Sequence, residues 1–242
     1  MNAVRIEGLT KKYKDIVAVD NLSLTIKKGE LFCLLGINGA GKTTTIKMLS
    51  CLTRPTSGDA YLNGWSICND TAAVKNIIGV SPQETAIAPG LSVKENLELI
   101  CGIYEFPKST WHKRIAELTD VLGLNEVMNR KAGKLSGGWK RRLSIAMALI
   151  SQPEILFLDE PTLGLDVLAR SDLWDIIRSL KGKITIILTT HYMEEAESLS
   201  DCIGIMKEGK LLICDSAENI KKIAETDQFE QAFIRIVKGV SK

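Results

Sequence analysis

"LFCLLGINGAGKTTTIKML", Leu31 to Leu49, sets an apolar run, a glycine-rich turn and a helical pattern in direct succession. Gly36, Ile37, Asn38, Gly39, Ala40, Gly41, Lys42 and Thr43 match GxxxxGK[ST] between a strand and a helix, the context in which that pattern is informative. Glycines there let backbone N–H groups wrap an anion, and the following helix presents its positive end to the same place. Lys42 supplies an ammonium for β- and γ-phosphates, and Thr43 offers a hydroxyl to Mg²⁺. The expected cradle is therefore Gly36, Asn38, Gly39, Ala40, Gly41, Lys42, Thr43 and Thr44, and its ligand a nucleoside triphosphate.

Outward from this loop, short runs rich in β-branched and apolar residues recur: "VRIEGL", "LSLTI", "DAYLNG", "IIGVSP", "ILFLDE", "ITIILTT" and the pair "CIGIMKEGKLLIC". Continuous apolar runs mark strands covered on both faces, and "KEGK" marks a hairpin turn. The fold class that follows is α/β: a P-loop core with a mostly parallel sheet and an antiparallel β part. From about 88 to 150 strand signals cease and helical ones begin, with Ser92 and Glu95 forming a capping box ahead of Leu97, Ile100 and Tyr104. This stretch is expected to be an inserted helical subdomain. A further helix is expected to start at Asp215, and Phe229, Phe233, Ile236 and Val237 share one helical face that packs on the core.

Two carboxylates end "ILFLDE". Alternation along a strand sends Asp159 and Glu160 to opposite faces, so they take different tasks. Asp159 is assigned to the metal through coordinated water, and Glu160 to the general base that activates the attacking water. "KLSGGWKRRL", Lys134–Leu143, is a second glycine-headed helix start: Ser136, Gly137 and Gly138 offer donors and a positive dipole end without a P-loop lysine. Alternatively, Ser136 caps its own helix, with Lys140, Arg141 and Arg142 on a solvated face; capping and anion binding use the same geometry, and both can hold.

Bulk properties narrow the function classes. With 45% hydrophobic residues, 25% charged residues and a formal net charge of +2, the chain is neither a disordered tail protein nor a carrier of the basic footprint that nucleic acid requires. Nucleic acid is not an expected partner. Cys33, Cys51, Cys68, Cys101, Cys202 and Cys214 are scattered without CxxC pairs or metal-ligand spacing and read as small buried hydrophobes in a reducing compartment. No signal-peptide pattern opens the sequence, and no apolar run approaches the roughly 20 residues of a membrane span. A cytoplasmic chain is expected, and any membrane crossing falls to another subunit.

The residues together resemble the nucleotide-binding subunit of an ATP-binding cassette (ABC) transporter. Seven features stand in that family's order: Tyr13, the P-loop, Gln83 in "SPQE", "LSGGW", "ILFLDE", "LGLD" with Asp166, and His191 closing "IILTTH". The resemblance implies ATP and Mg²⁺ as cofactors and ATP hydrolysis as the activity. It implies a second ATPase subunit, a copy or a close relative, held head to tail so that Ser136, Gly137 and Gly138 of one chain cap the phosphates on the other's P-loop. It further implies a separate transmembrane permease subunit and a position on the inner face of the cell membrane. A soluble relative of the iron-sulfur assembly type is the alternative.

Residue roles follow from the same resemblance. Tyr13 is similar to the aromatic that stacks on adenine, the alternative being a surface tyrosine among Lys11, Lys12 and Lys14. Gln83 corresponds to the residue touching Mg²⁺ and the attacking water, His191 to the switch histidine of the γ-phosphate, and Asp166 to the carboxylate that crosses the dimer interface. His112 matches no motif and reads as surface. Trp139 stands where the family usually has Gln. The resemblance implies an ATPase domain over 1–217 with the insertion at about 88–150, and a C-terminal helical extension over 218–242 of the kind found in bacterial exporters.

Overall fold

The structure, a computed structural model, describes residues 1–239. Residues 240–242 of the expected C-terminal extension lie outside the described residues. The chain is mixed α/β and divides into two compact units, 1–76 with 181–239 and 77–180.

The first unit opens with β1 (Asn2–Tyr13), β2 (Ile16–Lys27), β3 (Leu31–Gly36), α1 (Lys42–Leu49), β4 (Ser57–Leu62), β5 (Trp65–Ser66) and α2 (Thr71–Ile77), which runs to its boundary. The second comprises β6 (Ile78–Ser81), α3 (Val93–Ile103), α4 (Lys108–Val121), α5 (Gly137–Leu149), β7 (Ile155–Asp159) and α6 (Val167–Leu180). The chain then returns to the first with β8 (Thr185–Thr190), α7 (Met193–Leu199), β9 (Cys202–Lys207), β10 (Lys210–Asp215), α8 (Ala217–Ile223) and α9 (Phe229–Lys238).

In the first unit, β2, β1, β4 and β5 form an antiparallel sheet in that order. A separate set of strands places β3 between β8 and β9, parallel to both, with β10 antiparallel to β9. Every residue of β3 and β8 is buried, which explains their unbroken apolar runs: a strand covered on both faces has no polar side to alternate with. The β9–β10 turn falls at Glu208 and Gly209, both at positive φ (49° and 79°), the requirement of a two-residue type I′ hairpin and the place the sequence indicates.

The helix expected from Asp215 starts one residue later. Ser216 is its N-cap and accepts from the Asn219 N–H, while Asp215 ends β10 and accepts instead from the Ser216 N–H at 2.7 Å and the Asn219 amide at 2.8 Å. Two adjacent residues both able to cap stand there, and the strand claims the first. In α9, Phe229, Ala232 and Phe233 are buried while Ile236 and Val237 are half-buried, so the expected apolar face packs on the core at its N-terminal end, and Arg235 donates to the Ala224 carbonyl at 2.7 Å.

In the second unit β6 and β7 pair in parallel, and β7 is buried throughout. The α3 capping box is present in both directions: the Glu95 N–H donates to Ser92 Oγ at 3.2 Å, and the Ser92 N–H donates to Glu95 Oε2 at 2.6 Å. Hydrogen bonds from Ser92, its N–H foremost and then its hydroxyl, hold the Glu95 carboxyl below its ordinary pKa.

The cysteines depart from expectation. Cys33 and Cys101 are buried, but Cys51, Cys68, Cys202 and Cys214 are only partly so. None of the six is joined in a disulfide. Apolar patterning places a residue in a strand or beside a helix; it does not say whether a neighbour covers it.

Candidate functional site

β3 delivers the chain to the glycine loop, and α1 leaves from it. Lys42 begins that helix, and its N-cap, Gly41, has φ 103°. A Cβ at Gly41 would lie 2.4 Å from the Ala18 carbonyl of β2, and one at Gly36 would lie 2.6 Å from the Met206 carbonyl of β9. Backbone therefore walls the loop closely on two sides, leaving no room for side chains at those positions. The Gly209 N–H donates to the Ala40 carbonyl at 3.1 Å, fastening the β9–β10 turn to the same loop. Lys42 is 5% exposed, and its ammonium donates to the Gly36 carbonyl at 2.7 Å. Asn38 and Gly39 are exposed, and Thr43 and Thr44 half-buried on the first turn. Loop amides, a helix N-terminus and an ammonium converge as an anion site demands.

Tyr13 and His191 belong to the same unit. Tyr13 ends β1 with 45% of its surface exposed, its ring available at the end of that strand, and the Lys11 ammonium lies 4.9 Å from the ring centre. His191 directly follows β8 and stacks at a tilt on Tyr192, ring centres 4.1 Å apart. A cavity of about 550 Å³ opens beside it, lined by Met193 and Glu197 on one side and Asp227 and Phe229 from the α8–α9 segment on the other. His112 is exposed on α4.

The second unit holds Asp159, Glu160, Gln83, the Ser136–Gly138 helix head and Asp166. Asp159 and Glu160 are 4% and 5% exposed. Strand alternation is not what separates them: β7 ends at Asp159, and Glu160 turns away at φ 49°, a left-handed conformation costly for a residue with a Cβ. The turn continues through hydrogen bonds from Leu163 N–H to the Glu160 carbonyl and from Leu165 N–H to the Thr162 carbonyl. Asp166 then accepts from the Ala169 N–H at 2.9 Å and so caps the first turn of α6.

α5 begins at Gly137 with Ser136 as N-cap, yet the Ser136 side chain makes no capping hydrogen bond. Ser136 and Gly137 are exposed. The self-capping alternative therefore lacks its bond, while the backbone donors of the first turn still face outward. Its solvated basic face also needs correction. Arg141 is 5% exposed and donates to the Pro82 carbonyl at 2.7 Å and the Gln83 carbonyl at 2.8 Å. It ties the signature helix to the loop carrying Gln83, whose side chain is exposed. A buried Ser81–Ser144 hydroxyl pair at 2.9 Å joins β6 to the same helix. Arg142 reaches Asp172 of α6 at 2.7 Å and lies 5.0 Å from the Trp139 ring centre. Trp139 thus stacks on a guanidinium where a glutamine would offer an amide.

Arg141 was not legible as a functional residue in the sequence. The available signal was its place one turn into the helix that follows Ser136, where a side chain can reach back along the helix toward its N-terminal end.

The model of the ABC transporter family matches residues 19–163. The chain is 40% identical over 241 residues to the doxorubicin resistance ATP-binding protein DrrA of Mycobacterium tuberculosis, covering 98% of this chain and 72% of that protein. It is 38% identical over 223 residues to the human phospholipid-transporting ATPase ABCA3, covering 90% of this chain but 13% of that much longer protein. Among solved structures, the ADP- and phosphate-bound dimer of the ATP-binding cassette MJ0796 superposes with a TM-score of 0.79 at 29% identity, over 88% of this chain and 98% of the other.

Proposed function

Because this chain belongs to the ABC transporter family, whose cassettes bind and hydrolyse ATP, we propose that two copies, or one copy and a close relative, close head to tail around two MgATP and drive a separate transmembrane permease. The observation that carries this reading is the head of α5, exposed and without a side-chain capping bond at Ser136. It has donors for a phosphate and no P-loop lysine of its own, which makes it half of a site.

In this mechanism the glycine loop, Lys42 and Thr44 hold the triphosphate, and Tyr13 stacks on the base. Glu160 takes a proton from the attacking water, Gln83 orients that water, and His191 donates to the γ-phosphate. Ser136, Gly137 and Gly138 of the opposing chain bind the γ-phosphate, and Asp166 reaches across to the partner. The hydroxyl of Thr43, the carboxylate of Asp159 and the amide oxygen of Gln83 are hard oxygen donors suited to Mg²⁺, and Asp159, almost wholly buried, is a carboxylate whose charge a cation offsets. When bound, Mg²⁺ neutralises charge on the phosphate oxygens. Hydrolysis reopens the dimer, and opening and closing do the work on the permease.

Among the described residues no helix is long and apolar enough to cross a membrane. In this reading the permease is a separate protein, and this chain lies against the inner face of the membrane. The similarity to DrrA, named for doxorubicin resistance, supports export as the direction. Residues 1–217 serve as the ATPase domain with the helical insertion at about 88–150, and the segment from 218 is an extension.

The test is a pair of variants followed by analytical ultracentrifugation with ATP. Glu160→Gln binds ATP and accumulates as a nucleotide-locked dimer. Adding Ser136→Arg leaves ATP binding to the single chain and removes the dimer. A dimer of unchanged stability in the double variant contradicts the half-site reading.

A further inference from the structure

Two of the partly buried thiols meet. Cys202 opens β9 and Cys214 lies near the end of β10, and their sulfurs are 3.4 Å apart. Cys214 stands opposite Gly204, so Cys202, two residues along, shares its face of the hairpin as a diagonal neighbour. A disulfide needs about 2.05 Å between sulfurs. The gap left to close is therefore about 1.4 Å, on a strand at the edge of its sheet whose register is already irregular between Leu211 and Ile213. Of the remaining cysteines, Cys33 and Cys101 are buried, Cys51 points at the Ile67 carbonyl (3.6 Å) and Cys68 at the Gly58 carbonyl (3.9 Å).

We propose that Cys202 and Cys214 form a reversible dithiol–disulfide site that reacts with small disulfides carrying no net negative charge. The charge class follows from the surroundings, since the carboxylates of Glu30 and Asp215 both act on the pair and repel an anionic reagent. Cys214 is the attacking sulfur. Either sulfur can donate the hydrogen bond between them; with Cys202 as the donor the bond favours the Cys214 thiolate and, with burial, keeps the Cys202 proton in place.

In the first step the Cys214 thiolate attacks one sulfur of RSSR, forming Cys214–S–SR and expelling RS⁻. In the second, Cys202 loses its proton to solvent, attacks the Cys214 sulfur and expels the second RS⁻. Both thiolates are protonated, so protein dithiol and RSSR give protein disulfide and two RSH, with two electrons passing from protein to reagent. A thiol reverses the sequence. In a reducing compartment the bond forms only when the surrounding thiol pool becomes oxidised.

Cys202 is opposite Phe32, whereas Met206, four residues on, is opposite Gly36 at the glycine loop. The bond therefore forms at the end of the sheet away from the phosphate cradle. There it ties the edge strand, which leads into α8, to the strand inside it.

The full chain, first reduced, is incubated with hydroxyethyl disulfide; remaining thiols are alkylated and peptides mapped by mass spectrometry. The expected product is a Cys202–Cys214 cross-link within one chain, reversed by dithiothreitol and formed roughly tenfold faster than any adduct at Cys51 or Cys68, because a neighbouring thiol activates the attacker and completes the exchange. Cys202→Ser halts the reaction at a mixed disulfide on Cys214. Recovery of both residues as alkylated thiols, faster modification of Cys51 or Cys68, or no adduct on Cys214 in Cys202→Ser overturns the proposal.

Discussion

Arg141 holds two backbone carbonyls of the Gln83 loop from inside the protein, and that position gives it consequences a surface arginine lacks. Hydrogen bonds to a charged donor contribute about 1.5 to 3 kcal/mol when one partner is buried, so Arg141→Ala is expected to destabilise the chain by about that amount. Chemical denaturation measures this, and ATP turnover is expected to fall more than ATP binding because the loop that orients water has lost its anchor. Gly41 makes the opposite kind of demand. At φ 103°, with the Ala18 carbonyl 2.4 Å from any added Cβ, Gly41→Ala must displace either β2 or the loop itself. Isothermal titration is expected to find ATP binding lost; full affinity in that variant would show that the loop tolerates rearrangement. The glycine was legible from its motif. Arg141 was not, because a basic residue on a polar-headed helix ordinarily faces water, and only the packing of α5 against β6 shows otherwise.

The capping box of α3 was readable in the sequence because it is a local device, complete within four residues. Ser92→Ala is expected to cost about 1 kcal/mol. Its pH dependence has a fixed sign. The Glu95 pKa is lowered in the folded chain, so its contribution is complete above its ordinary unfolded pKa and disappears as pH falls through the folded value. Thermal unfolding of the wild type and Glu95→Ala should therefore differ most near neutrality, and the difference should shrink in acid. Helix α9 offers a larger effect: Phe233, 7% exposed, anchors its apolar face, and Phe233→Ala is expected to cost about 3 kcal/mol by urea denaturation. That face was visible as a spacing of apolar residues. The start of α8 was not, since both Asp215 and Ser216 can cap and only the end of β10 decides between them. Nor was the Cys202–Cys214 contact, which depends on hairpin register rather than composition.

Across the whole molecule, the elements legible in the sequence were those with a strong local signature: buried strands, the glycine loop, the β9–β10 turn. Glu160 marks where that reading stopped short, because strand alternation could not foresee that the residue after Asp159 leaves the strand at positive φ. In the proposed function no single chain suffices: the α5 head of a second copy completes the phosphate cradle. Salt, temperature and nucleotide being fixed, the rate of ATP hydrolysis per chain is expected to fall as the protein is diluted through its dimer dissociation range, tracking the dimer fraction measured in the same samples by light scattering. A rate per chain that stays constant in solutions shown to be monomeric would contradict it.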